Sequence, residues 1–157
     1  MQQTKILIIM NCVMMGLSTS WKNILIATED GKIRNNDAYH TYGAAYAVDD
    51  VIGVALDITN NKLYFAKDNV WENSGVPTSG ATGTGAFSIT MGALDRWVAS
   101  CSYWDSGTGT YEFNFGGCSA FTVSPGNSDG NGYGNFEYEP PSGYLAICTK
   151  NLGSDGG

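Results

Sequence analysis

Apolar and polar positions in this chain alternate in short blocks, and turn-forming residues separate the blocks at close intervals. That spacing predicts strands joined by frequent turns. The clearest block runs from Asp49 to Lys67. Asp50 precedes a near-continuous apolar run, Val51 to Leu56; the turn-formers Asp57 to Asn61 follow; Lys62 to Lys67 then alternates, with Leu63 and Phe65 on one face. This pattern predicts a β-hairpin with one face in the core. Asp68 and Asn69 predict another turn, ahead of Val70 and Trp71.

Upstream, Ile6 to Met10 and Val13 to Leu17 predict one or two buried strands, with Gly16 marking a bend or a close approach of another backbone. Ser18 to Lys22 reads as loop. Ile24 to Ala27 predicts a short strand, which Glu29, Asp30 and Gly31 turn back into Lys32 to Arg34 as a returning edge. Downstream, Asn73 to Gly85 holds Pro77, four glycines and many Ser and Thr, with no periodicity. It is a long connection for a compact domain, and such loops are functional or mobile.

Ala86 to Met91, Trp97 to Tyr103 and Tyr111 to Phe115 predict further strands, and Asp105 to Gly109 closes the hairpin between the last two. In the last strand Tyr111, Phe113 and Phe115 alternate against Glu112 and Asn114, which assigns the aromatics to the buried side. A second Gly/Ser/Asn-rich loop, Ser124 to Asn135, precedes a final strand around Tyr144 to Cys148, introduced by Pro140 and Pro141. Residues 1–152 fit one domain, and residues 153–157 read as a linker-like tail.

Composition agrees with the pattern. The chain has 157 residues, 43% hydrophobic and 12% aromatic, enough to bury a core but with no room for a second domain. Twenty-one glycines, four prolines and nine tyrosines favour an all-β class over long amphipathic helices. Eight basic against fifteen acidic side chains leave a net charge of -7, the wrong sign for a phosphate backbone or an anionic membrane surface. From Trp97 onward the only basic residue is Lys150. Nucleic acid and membrane are therefore excluded as expected partners.

Cys12, Cys101, Cys118 and Cys148 are widely spaced, without a CxxC pair and with only His40 to complete a metal set, so a zinc site is not expected. Buried free thiols are the simple reading, with a Cys101–Cys118 bridge as its competitor. Lys5 and the apolar stretch to Leu17, followed by Ser18 to Ser20, superficially match a secretory signal. Asn11 interrupts the run, and a mature strand is the preferred reading. The stretch is too short to span a bilayer.

The segment DDVIGVALDITNNKLYFAKDNVW (Asp49 to Trp71) resembles the central hairpin of a SPRY domain. DGKI and YGAAY, within Asp30 to Tyr46, are similar to the stretch that precedes that hairpin. WENSGVPTSGATGTGAFSI (Trp71 to Ile89), TYEFNFGG (Thr110 to Gly117) and FEYEPPSGYLAICTKNL (Phe136 to Leu152) resemble the long loop, the NFG strand and the closing segment of versions found in bacteriophage virion proteins. The resemblance covers roughly residues 13–152. It implies a bent antiparallel β-sandwich of jelly-roll type, used for protein or glycan contact and carrying no catalytic centre, in a tail or capsid-surface protein of a virion. One departure is visible: the family opens with an aromatic and acidic strand that has no counterpart here. Either Lys5 to Met10 replaces it, or the sandwich lacks one or two strands and exposes an edge open to self-association or to virion neighbours.

Gly126, Asn127, Ser128, Asp129 and Gly130 match the letters of a GxSxG nucleophile elbow, but Asn131 to Asn135 is no start for the helix the elbow needs. Asn127, Asp129 and Asn131 offer oxygen atoms to calcium without the spacing of an EF-hand. Glu137 and Glu139 would point the same way on a strand, as a glycosidase pair would; solvated carboxylates are the simpler reading. His40 reads as a lone polar contact near Tyr39 and Tyr42. No catalytic residue, metal ligand or cofactor is expected.

Binding chemistry concentrates in aromatics beside loops, Trp21, Trp71, Tyr103, Trp104 and Tyr133, with Asn73 and Asp105 next to them. Such side chains supply contact area at low entropic cost and stack on sugar faces, or else cap the ends of the core. The expected function is a non-catalytic binding module for a protein or glycan, gripping through Trp71 to Gly85 and Tyr103 to Gly109. The competing readings are a structural cement subunit that contacts neighbours through a sheet edge, and an intracellular protein-interaction module.

Overall fold

A computed structural model of the chain describes residues 5–11, 24–27, 31–35, 38–47, 49–89, 112–117, 123 and 125–151. Among them lie nine strands in two antiparallel sheets, so the all-β class holds. In the larger sheet β1 (Lys5–Asn11) pairs on one side with β5 (Val51–Asp57), from Lys5↔Asp57 to Asn11↔Val51. On its other side it pairs with β9 (Glu112–Asn114), from Ile9↔Asn114 to Asn11↔Glu112. The amino-terminal apolar run is thus an interior strand, with a neighbour on each side.

The predicted hairpin is present as β5 and β6 (Lys62–Lys67), in register from Ile52↔Lys67 to Asp57↔Lys62. Its loop is held by the Asp57 carboxylate, which accepts from the Asn60 backbone N–H (3.0 Å) and side-chain amide (2.8 Å). The outer edge of β6 carries two short strands end to end: β7 (Val70–Trp71) against Ala66 and Lys67, and β8 (Phe87–Ser88) against Lys62 and Leu63. Asp68 (φ 47°) and Asn69 (φ 68°) form the two-residue turn into β7. Positive φ at both positions matches a type I′ hairpin, whose twist suits the flanking strands. The turn is tied back to β5, because Asp68 Oδ1 accepts from the Val51 N–H at 2.9 Å.

The second sheet comprises β2 (Ile24–Ala27), β3 (Lys32–Asn35) and β4 (Ala38–Thr41) in that order. Lys32 to Arg34 is therefore a central strand rather than an edge. β4 carries no periodic signal because all four of its residues are exposed.

The hairpin was expected to bury one face; it buries both. On one side Ala55 and Tyr64 pack with Phe136, Tyr144 and Ala146 from the carboxy-terminal segment. On the other Leu56, Leu63 and Phe65 pack with Ile33 of β3, Tyr42 and Ile89. A near-continuous apolar run such as Val51 to Leu56 is the mark of a strand covered on both sides. Each large side chain removed from water here contributes about 1.5–3 kcal/mol.

In β9 the expected orientation reverses. Asn114 is 1% exposed, whereas Phe113 and Phe115 are only half-buried and stack on each other with centroids 5.7 Å apart. Asn114 tolerates burial because its amide donates to the Asn135 carbonyl (2.7 Å) and its side-chain oxygen accepts from the Gly116 N–H (2.8 Å). Of the predicted strand Ala86 to Met91, the described part forms only the pair β8. Tyr144 to Cys148 is irregular instead of a strand; the Ile147 N–H meets the Phe115 carbonyl at 2.9 Å, but no ladder follows. Val13 to Leu17, Trp97 to Tyr103 and Asp105 to Gly109 lie outside the described residues. No helix among the described residues is long and apolar enough to cross a membrane.

Candidate functional site

The turn at Asp68 and Asn69 sets Trp71 across from Ala66, and Ala66 in turn pairs with Gly53 on β5. These two small residues make the floor of a cleft. A Cβ at Gly53 would stand 3.3 Å from the Ala66 methyl and 4.0 Å from Cη2 of Trp71, so a larger residue at Gly53 would fill the space. The Trp71 ring is held edge-on by Tyr64, with centroids 6.5 Å apart and planes at 84°. Asn69, Tyr138, Glu139 and Pro141 complete the lining. The cleft is shallow and partly open, with a volume of about 10 Å³, room for about one water.

The electrostatics of the cleft are one-signed. Tyr138 has its hydroxyl pKa pushed up by burial and then by the Asp68 and Glu137 carboxylates. Among the described residues, no lysine or arginine lines the space. Lys67, the adjacent cation on β6, is held away by Asp50 Oδ2 at 2.7 Å and the Ala45 carbonyl at 3.0 Å.

Of the residues predicted for binding, Trp71 is in this cleft and half-buried. Asn73 is not among its lining residues. It sits in a 3₁₀ turn, Glu72–Ser74, with φ 53°, and its amide donates to the Gly85 carbonyl at 3.3 Å. Tyr133 belongs to a different loop, where its N–H donates to Asp129 Oδ1 (2.9 Å) and its ring lies 5.2 Å from the Lys150 ammonium. Trp21, Tyr103, Trp104 and Asp105 lie outside the described residues. The structure therefore gathers one predicted residue with several that periodicity had no means of selecting. Gly53 and Ala66 carry no side-chain chemistry, and Tyr138 to Pro141 reach the sheet from far along the chain.

The long loop between β7 and β8 is ordered by hydrogen bonds and not by strands. Tyr42 Oη donates to the Gly85 carbonyl (2.9 Å) and Tyr144 Oη to the Pro77 carbonyl (3.0 Å). Ser79 Oγ lies 3.3 Å from Tyr64 Oη and accepts from the Thr84 N–H at 2.9 Å. Three tyrosines thus clamp a segment whose composition alone reads as unstructured.

The GxSxG-like stretch is a loop closed by a mutual backbone pair between Asn127 and Phe136, 2.8 Å in each direction. Asp129 is 5% exposed and has both oxygens engaged. Oδ1 accepts from the N–H groups of Asn131 (3.0 Å) and Tyr133, while Oδ2 accepts from the Ala146 N–H (2.9 Å) and the Asn151 amide (2.7 Å). Those four donors occupy the lone pairs a calcium ion would need. Glu137 and Glu139 lie on irregular backbone, so the strand alternation that would align them is absent. His40 is exposed, its ring tilted against Phe87 with centroids 5.5 Å apart. Cys148 is a half-buried free thiol; Cys12, Cys101 and Cys118 lie outside the described residues. No protein-family model matches this chain, and no curated protein matches it at a significant level.

Proposed function

We propose that this chain is a non-catalytic recognition module with a SPRY-like β-sandwich, part of a phage tail or capsid-surface protein, which grips a protein or glycan at the Trp71 cleft. The observation that carries the reading is the half-buried Trp71 indole beside Gly53 and Ala66, with Tyr138 and Pro141 in the same lining. A large aromatic ring left partly in water beside a groove is the usual anchor of a recognition surface. The virion assignment rests on the sequence resemblance around Asp49 to Trp71 and Phe136 to Leu152.

The test compares the native chain with Trp71→Ala and Gly53→Val on a glycan array and a peptide array. The reading expects defined binders for the native chain, at least tenfold weaker in both variants, with the thermal midpoint still cooperative. Equal binding by all three proteins would remove the cleft from the function. A cement subunit acting through a sheet edge is favoured by one feature, the exposure of all four β4 residues, including Tyr39 at 62%. Loss of assembly in Tyr39→Asp, with the Trp71 variants unaffected, would select it.

A further inference from the structure

We infer that Asn131 is a site of spontaneous covalent modification, converting to aspartate or isoaspartate, and that its hydrogen bond to Asn151 restrains the reaction in the folded chain. The chemistry needs an amide side chain followed by an unhindered backbone nitrogen. Asn131–Gly132 is the only Asn-Gly pair in the sequence. Both residues are exposed, and a Cβ built on Gly132 would have nothing within 4 Å, so no side chain shields the nitrogen. The Gly132 nitrogen gives up its proton and bonds to Asn131 Cγ; the bond from Cγ to Nδ2 breaks, and that nitrogen leaves as ammonia. Water then opens the resulting five-membered imide at either carbonyl, which yields aspartate or isoaspartate.

Two contacts hold the reacting groups apart. The Gly132 N–H donates to the Asp129 carbonyl (2.9 Å), and Asn131 Nδ2 donates to Asn151 Oδ1 (2.9 Å). Both must open before nitrogen meets carbon, so the rate reports local opening of this loop. The product is incompatible with the closed loop. Where Nδ2 donated, a carboxylate presents oxygen to the Asn151 oxygen. Asn151 cannot turn its amide round without losing Asp129 Oδ2 (2.7 Å) and the Ala146 carbonyl (2.9 Å), the two acceptors of its Nδ2. The new charge also stands two residues from the buried Asp129 carboxylate. Modification therefore loosens the network that holds Ala146 against the hairpin.

The experiment incubates the full chain in mildly alkaline, isotopically heavy water, beside the same chain unfolded in urea and the Asn151→Ala variant, and locates the label by peptide mass. Label should enter first at Asn131, about fivefold or more slower in the native chain than in urea, and folded Asn151→Ala should close most of that gap. No label at Asn131 in urea overturns the site. Equal rates in the native and unfolded chains, or a folded Asn151→Ala that stays slow, overturn the restraint. Should that variant not fold, the native chain answers: the Asn131 side-chain protons must exchange more slowly than those of a free amide, and free-amide exchange overturns the role of Asn151. Asn131→Asp carries the product and tests the loosening. Its Ala146 N–H should exchange about fivefold or more faster than in the native chain, with β5 and β6 unchanged, and native exchange there overturns the released network.

Discussion

Asn151 Nδ2 lies 2.7 Å from Asp129 Oδ2 and 2.9 Å from the Ala146 carbonyl, which locks the end of the described chain onto a loop 22 residues earlier. Around this pair the carboxy-terminal segment gains the rigidity that strand pairing does not supply. Ala146, fixed by this network, covers one face of the hairpin together with Phe136 and Tyr144, and the same carboxy-terminal segment brings Tyr138 and Pro141 to Trp71. The cleft therefore depends on a buried carboxylate outside it.

Asp129→Asn should destabilise the fold by about 2–4 kcal/mol, because an NH₂ group would face N–H donors that now meet an oxygen. Burial pushes the Asp129 pKa up, but the N–H groups of Ala146, Tyr133, Asn151 and Asn131 together hold it below the ordinary value of 3.8. A folded-state pKa below the unfolded one stabilises the protein above the unfolded value, and that contribution disappears as pH falls through the folded value. Urea unfolding at pH 7 and near pH 3 should accordingly show the gap between native and Asp129→Asn chains shrinking in acid.

Tyr144→Phe removes the donor to the Pro77 carbonyl and should cost about 1–2 kcal/mol. The loss should appear locally, as faster amide exchange across Pro77 to Thr84 with β5 and β6 unchanged.

Alkaline pH probes three buried tyrosines, Tyr42, Tyr46 and Tyr144. Burial, aided by the Tyr64 and Glu72 charges, pushes Tyr42 up to about 12, and Tyr46 and Tyr144 are raised further, chiefly by burial. Raised folded values mean that their contribution is complete below the ordinary value of 10 and is lost as pH climbs past it. Phenolate absorbance should rise late for these three, and urea midpoints should fall steadily above about pH 10.

Asn114→Leu keeps the branched heavy-atom skeleton and removes both hydrogen bonds, leaving the Asn135 carbonyl and the Gly116 N–H without their present partner. A loss of about 2–3 kcal/mol is expected by denaturant titration. If Asn114 were an outward residue, as the alternation in β9 implied, the change would be near neutral.

The type I′ turn gives a paired test. Asn69→Gly should be neutral within about 0.5 kcal/mol, while Asn69→Ala should cost about 1 kcal/mol, since alanine resists the left-handed region that asparagine tolerates. Calorimetry of the two variants should separate them by a few degrees.

Local chemistry was legible wherever the deciding contact is a few residues away. The apolar run Val51 to Leu56, the polar loop after it and the Asp68–Asn69 turn specify a hairpin by themselves, because strand period and turn φ are short-range properties. Trp71 was recognisable as an aromatic beside a turn. Tertiary packing decided the rest. Nothing near Asn114 in the chain announces that Asn135 will satisfy its amide, and nothing in the Asn73 to Gly85 loop announces the hydroxyls of Tyr42, Tyr64 and Tyr144. The second buried face of the hairpin and the far wall of the cleft likewise exist only once residues 127–148 fold back over β5 and β6. Sequence periodicity reports which residues leave water; which distant groups then meet is set by the three-dimensional closing of the chain.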